Sequence, residues 1–313
     1  MKILVAGELN PDLIFSGLTT FPQPGREVLA ERLSIQLGSS SAILAAGLAK
    51  LGNEVSFIGK IGPDYLGKFS LGELERSGVD VSNVIIEDGL TTGVTVSISV
   101  EDRALMTCLG AIAALSASDV PEQLLRQFRH LHVASYYLQR ALRPGLAGLF
   151  ALAHRLGLTT SLDPGCDPSG LWGSDIVELL PVVDVFLLNE VELAAVSGSS
   201  GVKEGIRSLS NGRTLTVAKL GERGCAALDD SGLQCVPALR VDVADTTGAG
   251  DSFDAGFLHG WLGGMSLRDC LRCGTICGGL STRGLGGTSS QPDWTEVEKH
   301  WNELWKDEMV AGN

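Results

Sequence analysis

A run of polar or very small residues, Ala244 to Ser252, interrupts an otherwise apolar region and limits most tightly what this chain can fold into. Upstream, Cys235 to Val243 reads as short extended pieces broken by Pro237. Downstream, Phe253, Phe257, Leu258, Trp261 and Leu262 recur at helical spacing, which predicts a helix starting within or just after Gly248-Ala249-Gly250. A turn of small residues feeding a helix presents unpaired backbone N–H groups at the positive end of the helix dipole, which is an anion site. Asp251 falls in the first turn of that helix, beside the anion. A carboxylate there can take the proton of a hydroxyl that attacks the anion, and phosphoryl transfer needs positioning, charge neutralisation and one base. The same residues also read as an ordinary Asp-capped helix after a glycine-rich turn. The loop is not a Walker A element, because no Gly-Lys-Ser/Thr follows.

The 313 residues suffice for one large α/β domain, and 44% hydrophobic with 19% charged residues describes a globular chain. A net charge of −13 argues against nucleic acid or an anionic membrane as partner. No apolar run approaches the ~20 residues of a membrane span, so a cytoplasmic location is expected. Cys270, Cys273 and Cys277 follow i, i+3, i+7 spacing, one face of a helix, and no second Cys/His pair completes a metal site. They are expected in the core.

Several apolar strands end in polar residues. Met1 to Leu9 leads into Asn10-Pro11-Asp12. In an open α/β sheet, side chains at a strand's C-terminal end lie where ligands bind. Asn10 and Asp12 together offer the donors and acceptors a vicinal diol needs, although Asn-Pro-Asp is also turn chemistry. Segments 13–37 and 91–107 alternate apolar with polar residues, most cleanly Val94 to Val100, and suit a small sheet with one wet face. Arg103 lies there, within reach of a substrate or simply exposed. Ser39 to Ser41 cap a helix ending at Leu51-Gly52. Val182 to Leu188 leads into Asn189 and Glu192, which share a helix face and match a capping box. The core strands are apolar and alternate with helices, so the expectation is one α/β domain with a mostly parallel sheet covered on both faces, plus a small β insertion.

Asp245-Thr246-Thr247-Gly248-Ala249-Gly250-Asp251-Ser252-Phe253 resembles the C-terminal signature of the ribokinase, or phosphofructokinase-B, family of sugar and nucleoside kinases. Further resemblances follow along the chain: Gly-x-x-Asn-x-Asp after the first strand, Gly59 to Gly67, Asp163-Pro164-Gly165, and Asn189-x-x-Glu192. The resemblance implies a ribokinase-like three-layer fold in which the two alternating segments form a β lid, often shared between subunits as a homodimer. It implies ATP and Mg²⁺ as cofactors. Asp251 would be the base, with the amides of Gly248, Ala249 and Gly250 around the transferring phosphoryl group. Asn10, Asp12, Gly38, Ser39 and Gln139, with Arg103 from the lid, would hold the substrate. Asn189, Lys219, Gly221, Gly224 and Thr247 would serve the nucleotide, and Glu192 would act on Mg²⁺ through water. A K⁺ ion would sit among Asp245, Gly286 and Ser290. The chain departs from the family where Gly-Gly is expected, reading Gly38-Ser39, and Ile43 occupies the position of a substrate-contacting Asn. The expected activity is ATP-dependent phosphorylation of a hydroxymethyl group on a small sugar. The alternatives are a nucleoside or vitamin kinase of this fold, or a non-catalytic sugar-binding pseudokinase, which the intact Asp251, Asn189 and Glu192 argue against. No Lys or Arg occurs in Asn10–Asp12, Gly38–Ser41 or Ser135–Gln139, so an uncharged polyol is expected rather than a sugar phosphate.

Overall fold

The computed structural model describes residues 1–100 and 103–310, without the side chains of 103 and 306–310. The main sheet contains β1 (Lys2–Ala6), β4 (Glu54–Ile58), β7 (His130–Val133), β8 (Thr159–Leu162), β9 (Val185–Asn189), β10 (Leu215–Lys219), β11 (Cys225–Asp229) and β12 (Gly232–Val236). Their spatial order is β12-β11-β10-β9-β8-β7-β1-β4. The first six in sequence pair in parallel, and β11 and β12 close one edge as antiparallel strands. Four further strands, β2 (Pro11–Ser16), β3 (Arg32–Leu37), β5 (Val94–Ser99) and β6 (Arg103–Cys108), form a separate sheet in the order β3-β2-β5-β6, and the short strands Lys60–Ile61 and Ile85–Ile86 pair by themselves.

Alternation within the parallel strands builds two cores. Leu4, Ala6, Phe186 and Leu188 face one cluster, which includes Leu149 and Phe150 of α2 (Leu146–Arg155). Ile3, Val5, Val185 and Leu187 face the other, with Leu44 and Leu48 of α1 (Ser40–Lys50) and Phe253 and Phe257 of α4 (Ala249–Leu262). Neighbouring residues of one strand thus enter opposite cores, and both faces are covered. Each such buried Leu, Ile or Phe contributes about 2 kcal/mol through removal from water. Two further helices matter below: α3 (Glu190–Ser197) and α5 (Leu267–Ser281). Cys270, Cys273 and Cys277 are buried in α5, as expected.

Several strands stop earlier than their apolar content suggests. The strand opening at His130 ends at Val133, and Ser135 then turns the chain with φ +51°. From β1 the chain goes through α1 to β4 on one side and later places β7 on the other. The crevice at the C-terminal end of β1 is therefore a topological switch point, where open α/β sheets bind ligands.

Candidate active site

The switch point gathers segments far apart in sequence. Glu8 and Asn10 follow β1, and both are buried. The Ser41 hydroxyl and amide donate to the Glu8 carboxylate at 2.6 and 3.2 Å. Burial pushes the Glu8 carboxyl above its ordinary value against these bonds. Ser39 caps α1, accepting from Ala42 N at 3.2 Å, and donates a short hydrogen bond to the Glu8 carbonyl. Its φ of +72° occupies a conformation that glycine adopts more easily. A Cβ on Gly38 would lie 2.1 Å from Asp12 Oδ1, so the glycine leaves room for that carboxylate.

Helix α4 begins at Ala249, with Gly248 as N-cap at φ +71°. The Ala249 amide turns inward to the Thr246 carbonyl at 3.2 Å. Within this turn the amides of Gly248, Gly250 and Asp251 make no backbone hydrogen bond among the described residues. Asp251 stands in the first turn. Burial, then the nearby charge of Asp163, pushes its carboxyl up to about 7, against Lys219 and a hydrogen bond with Ser40. Ser40 and Glu8 at this centre escaped the sequence reading, because only the fold brings α1 and β1 to α4.

Asn189 and Glu192 form the capping box of α3. Glu192 N donates to Asn189 Oδ1 at 2.9 Å, while Asn189 N and Nδ2 donate to the Glu192 carboxylate at 2.8 and 2.7 Å. Burial and then Asp163 push the Glu192 carboxyl up to about 8. A buried carboxylate repelled by carboxylates suits a divalent cation. Among the described residues no group of three or more His, Cys, Asp or Glu side chains is placed to hold a metal ion. The donor set thus fits Mg²⁺ held through water and phosphate oxygens, the usual manner of that ion.

Lys219 ends β10, but its ammonium faces inward, 2.6 Å from Asp163 and 2.9 Å from Asp254. It meets the anion loop from beneath: a Cβ on Gly250 would lie 3.6 Å from its Nζ. Gly221 opens onto free space, whereas a Cβ on Gly224 would lie 1.9 Å from the Val236 carbonyl. Gly224 therefore serves the close approach of β12. Asp245 accepts from Thr247 N and Oγ1 at 2.9 and 2.8 Å and from Gly286 N at 2.9 Å, tying the loop before α4 to the loop that carries Ser290.

The lid adds residues that no local motif pointed to. Register aligns Gln36, Asp12, Thr95 and Thr107 in one row across β3, β2, β5 and β6. Facing residues of a sheet share a side, so this row is one polar face. Asn10 Nδ2 lies 3.5 Å from Thr95 Oγ1, and the Thr95 and Thr107 hydroxyls are 3.1 Å apart. A Cβ on Gly286 would meet Gln36 Cγ at 2.8 Å, so the row reaches from Asn10 to the Gly286 loop. Gln139 is buried at the β7 exit, donating to the Ala134 carbonyl at 2.5 Å. The Arg103 side chain, expected near substrate, lies outside the described residues.

The pfkB family carbohydrate kinase model matches residues 2–294, and the chain belongs to that family. It is 31% identical to the ATP-dependent ribose-1-phosphate kinase of Halopiger xanaduensis over 93% of this chain and 95% of that one. It is 25% identical to the nucleoside kinase of Methanothermobacter thermautotrophicus over 97% of this chain and 96% of the other. A ribokinase from Cryptococcus neoformans in complex with ADP superposes with a TM-score of 0.81 at 23% identity, over 96% of this chain and 99% of that one. The fold is that of the ribokinases, and the chain is a kinase of this family. No helix among the described residues is long and apolar enough to cross a membrane.

Proposed function

We propose that this protein phosphorylates a hydroxymethyl group of a small uncharged polyol, using ATP with Mg²⁺. The observation that carries the reading is Asp251 in the first turn of α4, beside amides that make no backbone hydrogen bond among the described residues. Asp251 takes the proton of the attacking hydroxyl. The Gly248, Gly250 and Asp251 amides hold the transferring phosphoryl group, with Thr247 and the Gly221 turn on the nucleotide side and Lys219, bonded to Asp163 and Asp254, beneath the loop. Bound Mg²⁺ neutralises charge at the phosphates; Asn189 and Glu192 would hold it through water. Asn10, Asp12, Gly38, Ser39 and Gln139, with the Gln36–Thr95–Thr107 row, bind the polyol. That polar row is uncharged apart from Asp12, which suits hydroxyl groups better than a phosphoester. A sugar acid or sugar phosphate would call on a lid cation such as Arg26 or Arg103. A screen for ADP release over free sugars, nucleosides and sugar phosphates, ribose 1-phosphate included, tests the reading. A phosphorylated best substrate, lost on Arg103→Ala and kept on Asp12→Ala, overturns it.

K⁺ is proposed to sit among Asp245, Gly286 and Ser290 behind the anion loop, and equal rates in K⁺ and Na⁺ at matched ionic strength would refute it. The opposite face of the lid is apolar, with Leu33 56% and Met106 66% exposed beside Phe15 and Ile98. We infer that this face meets its counterpart in a second copy, to be checked by sedimentation of wild type against Leu33→Glu. The same reading places the protein in the cytoplasm, where ATP is abundant.

A further inference from the structure

Among the described residues, Lys219 is the one cation whose ammonium bonds the buried carboxylates at this centre, with hydrogen bonds to Asp163 and Asp254. Asp163 comes from the exit of β8, Lys219 from the end of β10, and Asp254 from α4, one turn past Asp251. Only 11% of the Lys219 side chain is exposed, with 7% of Asp163 and 1% of Asp254. We propose that Lys219 is a positioning residue for the base: pinned between Asp163 and Asp254, its charge shields Asp251 from Asp163 and braces the first turn of α4 from beneath. The inference rests on Asp251 being the base.

Taking one ammonium and two carboxylates out of water costs stability that an apolar cluster would not. The arrangement is better accounted for by what its charge does to a neighbour. Burial raises the Asp254 carboxyl well above its ordinary value; Lys219 opposes that rise and Asp163 adds to it. Lys219 holds Asp163 ionised. Among the described residues, the charged and polar groups facing Asp251 are Glu8 from the exit of β1, Ser40 from α1, Glu192 from α3, and Asp163 and Lys219. Of these, Asp163 raises its proton affinity most and Lys219 offsets that effect.

The test is the acid limb of kcat/KM against pH. Lys219→Met leaves Asp163 uncompensated and should move the limb up by about one unit, the scale of an unpaired like charge nearby. Asp163→Asn leaves Lys219 uncompensated and should move it down. The double variant should return to within about half a unit of wild type, and Lys219→Arg should stay there. A structural role predicts slower turnover without opposite shifts. Unmoved limbs, shifts of the same sign, or Lys219→Arg behaving as Lys219→Met would overturn the inference. If Lys219→Met does not fold, the direction of the Asp163→Asn shift decides. Asp251→Asn separates the two readings. An active Asp251→Asn enzyme removes the base and this role with it, whereas an inactive one beside unmoved limbs removes only the role of Lys219.

Discussion

Ile43 lies directly under Gly287: a Cβ on that glycine would fall 2.3 Å from Ile43 Cδ1. The same side chain supports Gly248, whose Cβ would sit 3.1 Å from Ile43 Cγ2. Ile43 therefore holds the loop before α4 and the Gly286 loop together. Its carbonyl accepts from Gln291 Nε2 at 2.8 Å, and Gln291 also donates to Ser252 Oγ at 3.0 Å.

Ile43→Asn should consequently fail to lower KM for any sugar, and should destabilise the fold by about 2–4 kcal/mol. It loses buried packing and places an amide where Ile43 is only 2% exposed. Urea denaturation gives the magnitude. An unchanged midpoint with improved sugar binding would show that Ile43 faces substrate instead.

Asp251→Asn should keep ATP binding and lower kcat by about 10² or more, the scale of a positioned base. In the wild type the base must be ionised. With the Asp251 carboxyl near 7, kcat/KM should fall as pH drops through that value. Turnover of the variant within a few-fold of wild type would remove the assignment.

Glu192→Gln should raise the Mg²⁺ concentration for half-maximal rate more than it changes KM for the polyol. The carboxylate is expected to act through metal-bound water. A Mg²⁺ titration that overlays wild type would reject this role.

Asp12→Ala should raise KM for the true substrate at least tenfold while leaving KM for ATP nearly unchanged. A lost hydrogen bond to a charged group is worth about 1.5–3 kcal/mol. Equal effects on both substrates would place Asp12 elsewhere in the mechanism.

His130 and His132 supply a prediction independent of the reaction. Both are fully buried and share the Ser161 hydroxyl at 2.7 Å each. Burial lowers each imidazole from 6.5 to about 3. Below pH 6.5 the unfolded chain binds protons that the folded chain refuses, so stability is lost progressively as pH falls toward 3. His130→Gln should flatten that loss in urea midpoints measured between pH 7 and 4. An equally steep loss would mean other groups dominate.

The local structure around the candidate site was legible in the sequence because it depends on near neighbours. The start of α4, Asp251 in its first turn, and the Asn189–Glu192 box each lie within a few residues, where backbone geometry and capping decide the outcome. The lid strands showed through their period of two, and the parallel sheet through apolar strands alternating with helices. What the tertiary structure alone decided was which distant groups meet. Lys219 finds Asp163 and Asp254 because β8, β10 and α4 converge, and no local pattern encodes that convergence. Gln36, Thr95 and Thr107 join Asp12 through strand register, which pairing across the small sheet sets. The Ala249 amide is withdrawn by a turn bond to Thr246 that composition does not reveal. Ile43 serves packing because Gly248 and Gly287 close over it, a matter of volume at the meeting of α1, α4 and the Gly286 loop.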